Sequence, residues 1–175
     1  MTIKDLVFQH SKNFLDERGS FRKTFNVVEM EVSEDFHLSE VFHSVSNAGV
    51  FRGMHLQIKG SASLRSISLV RGRVIDVLLD LRPDSESFLE TQYFDWDSSG
   101  DISSVLVPPG VAHGFFTLQE ATLVYATNKP YDPSNDTGVN PYSLELPFLK
   151  DILEISQRDL SLPDISSWAD GEVRL

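Results

Sequence analysis

Four residues in this chain carry side chains that could move a proton to and from carbon or hold the charge that results: Arg52, His55, His113 and Tyr125. Imidazole suits proton abstraction near neutral pH, a protonated phenol can act as donor, and a guanidinium offers positive charge without releasing its own proton. Arg52 and His55 stand together in SNAGVFRGMHLQ, with Gln57 beside them. His113 follows a Pro-Pro-Gly turn in VLVPPGVAHGFFTL, and Tyr125 lies in the apolar run ATLVYAT. Taken singly, a core histidine with a satisfied hydrogen bond and an ordinary buried tyrosine are the commoner readings. The closeness of Arg52, His55 and Gln57 shifts His55 toward chemistry, while His113 by itself stands between the two.

Other chemistries find less support. There is no cysteine, hence no thiolate nucleophile, disulfide or thiolate metal site. No HxH or HxxxH pair exists, so a metal is not expected, although His55 and His113 could meet across a barrel. Neither a GxSxG elbow nor a glycine-rich phosphate loop is present. Cofactor-free proton transfer remains.

The elements that must position these residues are strands. Strict alternation over 50–57 puts Val50, Arg52, Met54 and Leu56 on one face and Phe51, Gly53, His55 and Gln57 on the other. Both faces mix polar and apolar groups, the pattern of a strand lining a cavity. Further strands are expected at 36–42, 88–96, 105–107, 114–118 and 121–127, and the branched apolar runs of 64–82 read as a hairpin about Arg71 and Gly72. Arg65 shares a face with Ile67 and Leu69, so its charge needs a partner or must snorkel out at the strand end. Residues 16–20 read as a turn followed by a short strand with Phe21 and Phe25, and the nearby Arg18, Arg22 and Lys23 read as charges of a solvated edge or, less favoured, a phosphate clamp. Residues 27–38 read as a short helix or loop, 147–155 as a short helix closing one end, and 156–175 as a loosely packed tail. The sum is an all-β jelly-roll sandwich or barrel, with short C-terminal helical segments, forming a single domain over residues 1–175.

The net charge of −11 argues against a nucleic-acid partner, and no stretch is long and apolar enough for a signal peptide or membrane span, so a soluble cytoplasmic protein is expected. The charge is unevenly spread. Residues 1–82 hold 11 of the 15 Lys and Arg and 10 of the 26 Asp and Glu, a balance of +1, leaving −12 for residues 83–175. An anionic ligand such as a nucleotide diphosphate should therefore be met mainly from the amino-terminal half.

Six blocks, DERGSFRKTF, SNAGVFRGMHLQ, VRGRVIDVLLDLRPDSESF, VPPGVAHGFFTL, YDPSNDTG and SQRDLSLPDI, in this order and spacing, closely resemble the dTDP-4-dehydrorhamnose 3,5-epimerase family. The resemblance implies a cupin-like jelly roll that works as a homodimer without metal or cofactor. It also implies an isomerase that inverts carbons flanking the 4-keto group of a nucleotide-linked 6-deoxyhexose. By motif position, His55 matches the family's base, Tyr125 its acid, Arg52 the arginine before the base and His113 the second active-site histidine. Arg18 and Phe21 match the nucleotide-binding block that reaches into the partner's site.

Some positions depart from the family. Its lysine aligns with Arg65, and the aspartate that pairs with the base aligns near Ser143, which implies that the dyad has lost its carboxylate. Glu40 and Phe42 align with a glutamine and an asparagine, and Lys23 with a glutamate. The expected catalytic set is His55, Tyr125, Arg65 and His113, and the substrate-binding set Arg18, Phe21, Arg52, Gln57 and Ser143. Two classes of function stay open: an epimerase, including one acting at a single carbon or a 3,4-ketoisomerase, and a non-catalytic nucleotide-sugar-binding homologue. Retention of all four chemical residues favours the enzyme.

Overall fold

The computed structural model describes residues 3–26 and 36–175. The acidic stretch 27–38 lies, up to residue 35, outside the described residues. The strands are β1 (Val7–Gln9), β2 (Phe14–Asp16), β3 (Gly19–Phe21), β4 (Glu40–Ser46), β5 (Val50–Gln57), β6 (Arg65–Arg71) and β7 (Arg73–Asp80). They continue as β8 (Thr91–Asp97), β9 (Ser104–Val107), β10 (Val111–Thr117), β11 (Ala121–Thr127), β12 (Asp136–Gly138) and β13 (Glu154–Ile155). Two short helices, α1 (Gln157–Leu160) and α2 (Ile165–Ala169), close the chain. None is long and apolar enough to cross a membrane.

Two sheets face each other. One has the order β1-β9-β6-β11-β4; the other runs β12-β5-β10-β7-β8, with β13 added in parallel to β5. The expected hairpin at 64–82 does not form, because β6 and β7 belong to different sheets. Gly72 between them is the corner. Its φ is +89° and a Cβ would lie 2.2 Å from the Glu120 carbonyl oxygen, so only glycine fits this close approach. Two branched runs about a glycine look the same in sequence whether the chain folds back or changes sheet.

Alternation sorts the residues into two cores. Ile67, Leu69, Val74, Leu78, Val105, Phe115 and Leu123 meet between the sheets. On the outer face of the second sheet, Val77, Leu79, Ala112 and Phe116 meet Leu144, Leu146, Phe148 and Trp168. The C-terminal stretch is therefore docked, contrary to the loose tail expected. Trp168 is 3% exposed and its indole N–H donates to the Gly138 carbonyl at 3.1 Å. The expected helix over 147–155 is instead a single 3-10 turn, Leu149–Asp151, followed by β13.

Inward-facing side chains turn polar toward one end of the sandwich. On β6 the row is Arg65, Ile67, Leu69; on β10, His113 precedes Phe115; on β11, Leu123 precedes Tyr125. At that end the two sheets enclose a cavity of about 290 Å³ in place of packed core.

Candidate active site

A β-bulge brings His55 to the cavity. Opposite β10, His113 pairs with His55 and Phe115 with Arg52, so three steps along β5 face two along β10. The extra residue breaks the alternation, and Arg52 and His55, expected on opposite faces, both line the cavity. Gly53 permits this, having φ +129° and a hypothetical Cβ only 2.4 Å from the Gly114 Cα.

Behind His55 lies Asp159 of α1. The imidazole Nε2 is 2.7 Å from Asp159 Oδ1, and Asp159 Oδ2 accepts from the Gly53 N–H at 3.2 Å. Burial alone would raise this carboxyl, but the hydrogen bond and charge of His55 and the Gly53 N–H hold it below the usual carboxylate range. An ionised carboxylate only accepts, so Nε2 carries a hydrogen, and in the neutral imidazole the lone pair then lies on Nδ1. The carboxylate that the alignment with Ser143 implied was lost is thus present, supplied by Asp159. Ser143 donates to the Asn140 carbonyl and accepts from the Ile165 N–H, outside the cavity, and closes a turn.

His113 has its own carboxylate, with Nε2 2.7 Å from Oδ2 of the fully buried Asp76. Burial pushes the Asp76 carboxyl up, opposed by His113 and Arg65. Arg65 lies across the same space. Rather than snorkelling, its guanidinium donates to the backbone carbonyls of His55 at 3.1 Å and Val111 at 2.6 Å. Burial pushes it down to about 10, so it stays cationic at neutral pH.

Tyr125 enters from the opposite sheet. Its ring stacks on Phe42, directly across the β4–β11 pair, with centroids 4.9 Å apart and planes 11° from parallel. Burial pushes its phenol up to about 12, so it remains a proton donor at neutral pH. At the mouth, Lys129, Tyr131, Asp136 and Arg158 complete the wall, with Asp136 accepting from both Arg158 and the Tyr131 hydroxyl. Gln57 lines the wall too, but both ends of its amide hold the Asp132 backbone. A second opening of about 260 Å³ shares Arg52, His55 and Arg158 with the first. Among the described residues no group of three or more His, Asp or Glu side chains could hold a metal ion.

A paired imidazole, a protonated phenol and fixed cations around one cavity are the parts needed to take a proton from carbon beside a carbonyl and return one. Residues 1–167 match the family described as dTDP-4-dehydrorhamnose 3,5-epimerase. The chain belongs to that family. A dTDP-4-dehydrorhamnose 3,5-epimerase from Salmonella typhimurium is 31% identical over 169 residues, covering 92% of this chain and 91% of the relative. The crystal structure of the Elizabethkingia anophelis dTDP-4-dehydrorhamnose 3,5-epimerase is similar with a TM-score of 0.82 and 30% identity, covering 95% of this chain and 94% of that one. A double mutant of ChmJ, a 3'-monoepimerase from Streptomyces bikiniensis, in complex with dTDP, gives a TM-score of 0.88 at 25% identity, covering 98% and 89%.

Of the residues expected from sequence for this family's chemistry, the structure brings together His55, Arg52, Arg65, His113, Tyr125 and Gln57. Arg18 and Phe21 lie elsewhere. Arg18 pairs with Asp16 at 2.5 Å and is 89% exposed, while Phe21 packs against Phe14 on the exposed β2–β3 hairpin. Sequence reasoning missed Asp159, Asp76 and Arg158. Asp76 carried a signal, being a lone carboxylate in the apolar run VIDVLL, where a buried charge needs a partner. Asp159 and Arg158 were adjacent in SQRDL, a block whose resemblance was noted without assigning its charges.

Proposed function

We propose that this protein is a carbohydrate epimerase acting beside the 4-keto group of a nucleotide-linked 6-deoxyhexose. The observation that carries the reading is that His55 and Tyr125 stand on opposite sheets and face one cavity. A sugar between them has one ring face toward the base and the other toward the acid. His55 Nδ1 takes the proton from the carbon next to the ketone, the C–H electron pair passes into the enolate, and the ketone oxygen becomes an oxyanion. Arg65 and His113 flank that charge. Tyr125 then delivers its proton to the opposite face, the ketone reforms and the carbon is inverted; solvent restores the phenol and removes the proton from His55. Arg52, Arg158 and Lys129 supply cations for a diphosphate at the mouth, in keeping with the dTDP bound by the Streptomyces bikiniensis relative. With Asp159 behind His55, the lost carboxylate that favoured a non-catalytic homologue is no longer an argument for it.

A second copy of the chain completes this reading. β4 is the open edge of its sheet among the described residues, and its outward Val41 and Val45 are 60% and 53% exposed. Phe14, Leu15 and Phe21 on the β2–β3 hairpin are 51%, 76% and 62% exposed. A dimer covers these groups and carries Arg18 and Phe21 toward the partner's cavity.

The test is incubation in D2O with dTDP-4-keto-6-deoxyglucose, counting carbon-bound deuterium by mass spectrometry. One or two deuteriums per sugar are expected, and none with His55→Ala that keeps the wild-type circular dichroism. Calorimetric binding without any deuterium uptake by the wild type would overturn the epimerase reading.

A further inference from the structure

We propose that Phe42 is a positioning residue for Tyr125, holding the phenol ring in the plane from which its hydroxyl meets the sugar. The inference rests on Tyr125 as the acid. Phe42 stands where the family resemblance aligns an asparagine, and its large apolar ring is left 47% exposed on an edge strand. An exposed apolar side chain is ordinary by itself, so the case rests on what the ring touches.

That is visible in the contacts of Tyr125. The phenol oxygen has Ser44 Oγ at 3.5 Å, the outer limit of a hydrogen bond, so no strong polar contact within the described residues aims it. Aim comes from the ring. Phe42 lies nearly parallel to it at 4.9 Å and His113 meets it at 6.3 Å with planes 70° apart, so two aromatic walls restrict rotation. Glu40, Phe42 and Ser44 alternate along the same face of β4 and all line the cavity, which makes Phe42 part of the wall opposite His55. A donor that must meet a carbon across the cavity loses rate steeply when misplaced by a fraction of a bond length.

Phe42 acts on the acid and not on the base, and this separates its effect from a general loss of activity. In Phe42→Ala, deuterium wash-in to recovered substrate, which needs only His55, should continue at the wild-type rate, while turnover to inverted product falls about 10- to 100-fold with KM within about threefold. Phe42→Trp should restore most of the loss. In a Tyr125→Phe background, Phe42→Ala should have no further effect on turnover. An equal fall in exchange and turnover, or the same fall in the Tyr125→Phe background, overturns the proposal. A readout without substrate keeps the two ideas apart: Tyr93, Tyr131 and Tyr142 are 48%, 58% and 50% exposed, so Tyr125 is the sheltered tyrosine. Its ring carbons, in protein labelled with carbon-13 tyrosine, should show lower order in Phe42→Ala than in the wild type. Unchanged ring order overturns the positioning role whatever the sugar. Lower ring order together with a wild type that never exchanges a proton supports the positioning role and overturns only the epimerase reading.

Discussion

His55 Nε2 and Asp159 Oδ1 lie 2.7 Å apart although 104 residues separate them in the chain. The carboxylate's other oxygen holds the Gly53 N–H of the bulge that turns His55 into the cavity, so one side chain fixes both the tautomer of the base and the strand that carries it. Asp159→Asn keeps the shape but can present an N–H to the imidazole, which reverses the tautomer. Turnover should fall by roughly 10²- to 10⁴-fold, as expected when a dyad loses its carboxylate, with little change in thermal midpoint. Steady-state kinetics beside a melting curve check it, and turnover within threefold of wild type would show that Asp159 does not orient the base.

Tyr125 makes a prediction about alkaline pH. Burial pushes its phenol up to about 12, against about 10 for an unfolded tyrosine. Tyrosinate absorbance of the wild type and Tyr125→Phe should therefore superimpose up to about pH 11, because only the exposed tyrosines titrate there. One extra tyrosinate in the wild type by pH 10.5 would contradict the burial. The stability sign follows: the folded pKa is raised, so the contribution is fully present below pH 10 and is lost as pH climbs through 12, where the unfolded chain has already released this proton.

Much of this was legible in the sequence, and the failures have physical reasons. Short branched runs separated by turns do specify a β-sandwich, and Arg65 could be placed facing inward beside Ile67 and Leu69 from alternation alone. Alternation misplaced Arg52 relative to His55, because a bulge adds one residue without any mark beyond Gly53. The change of sheet at Gly72 was read as a hairpin because local sequence does not encode which strand pairs with which. Asp159 escaped for a similar reason, its partner being distant in sequence: the resemblance aligned its place with Ser143, a turn residue, so the carboxylate read as lost.

Edge strand β4 leads to a prediction about assembly. Its outward valines and the exposed aromatic residues of the β2–β3 hairpin make a surface suited to a second copy. Sedimentation at micromolar concentration should give about twice the 19.7 kDa chain mass, and Val41→Arg should shift it toward the monomer. Because Arg18 and Phe21 would then no longer reach a neighbouring cavity, KM for the nucleotide sugar should rise about tenfold or more in the same variant. A wild-type monomer with full activity would remove the dimer from the proposal.

Asp80, which is not part of the cavity lining, offers a test of acid stability. It is fully buried on β7, and its carboxylate takes bonds from Arg82 at 2.8 Å and from the hydroxyls of Ser85 and Ser87, both at 2.6 Å. Burial opposes ionisation, but Arg82 and the two serines win and hold the carboxyl down to about 2. A depressed folded pKa means stability that is complete above the unfolded value near 4 and is lost as pH falls toward 2. The shift corresponds to about 1–2 kcal/mol, after allowance for screening on the exposed side of Arg82. Urea midpoints should therefore drop between pH 4 and 2 in the wild type, while Asp80→Asn starts lower at pH 7 and drops less over that window. Parallel pH dependences for the two proteins would show that another carboxylate sets the acid limb.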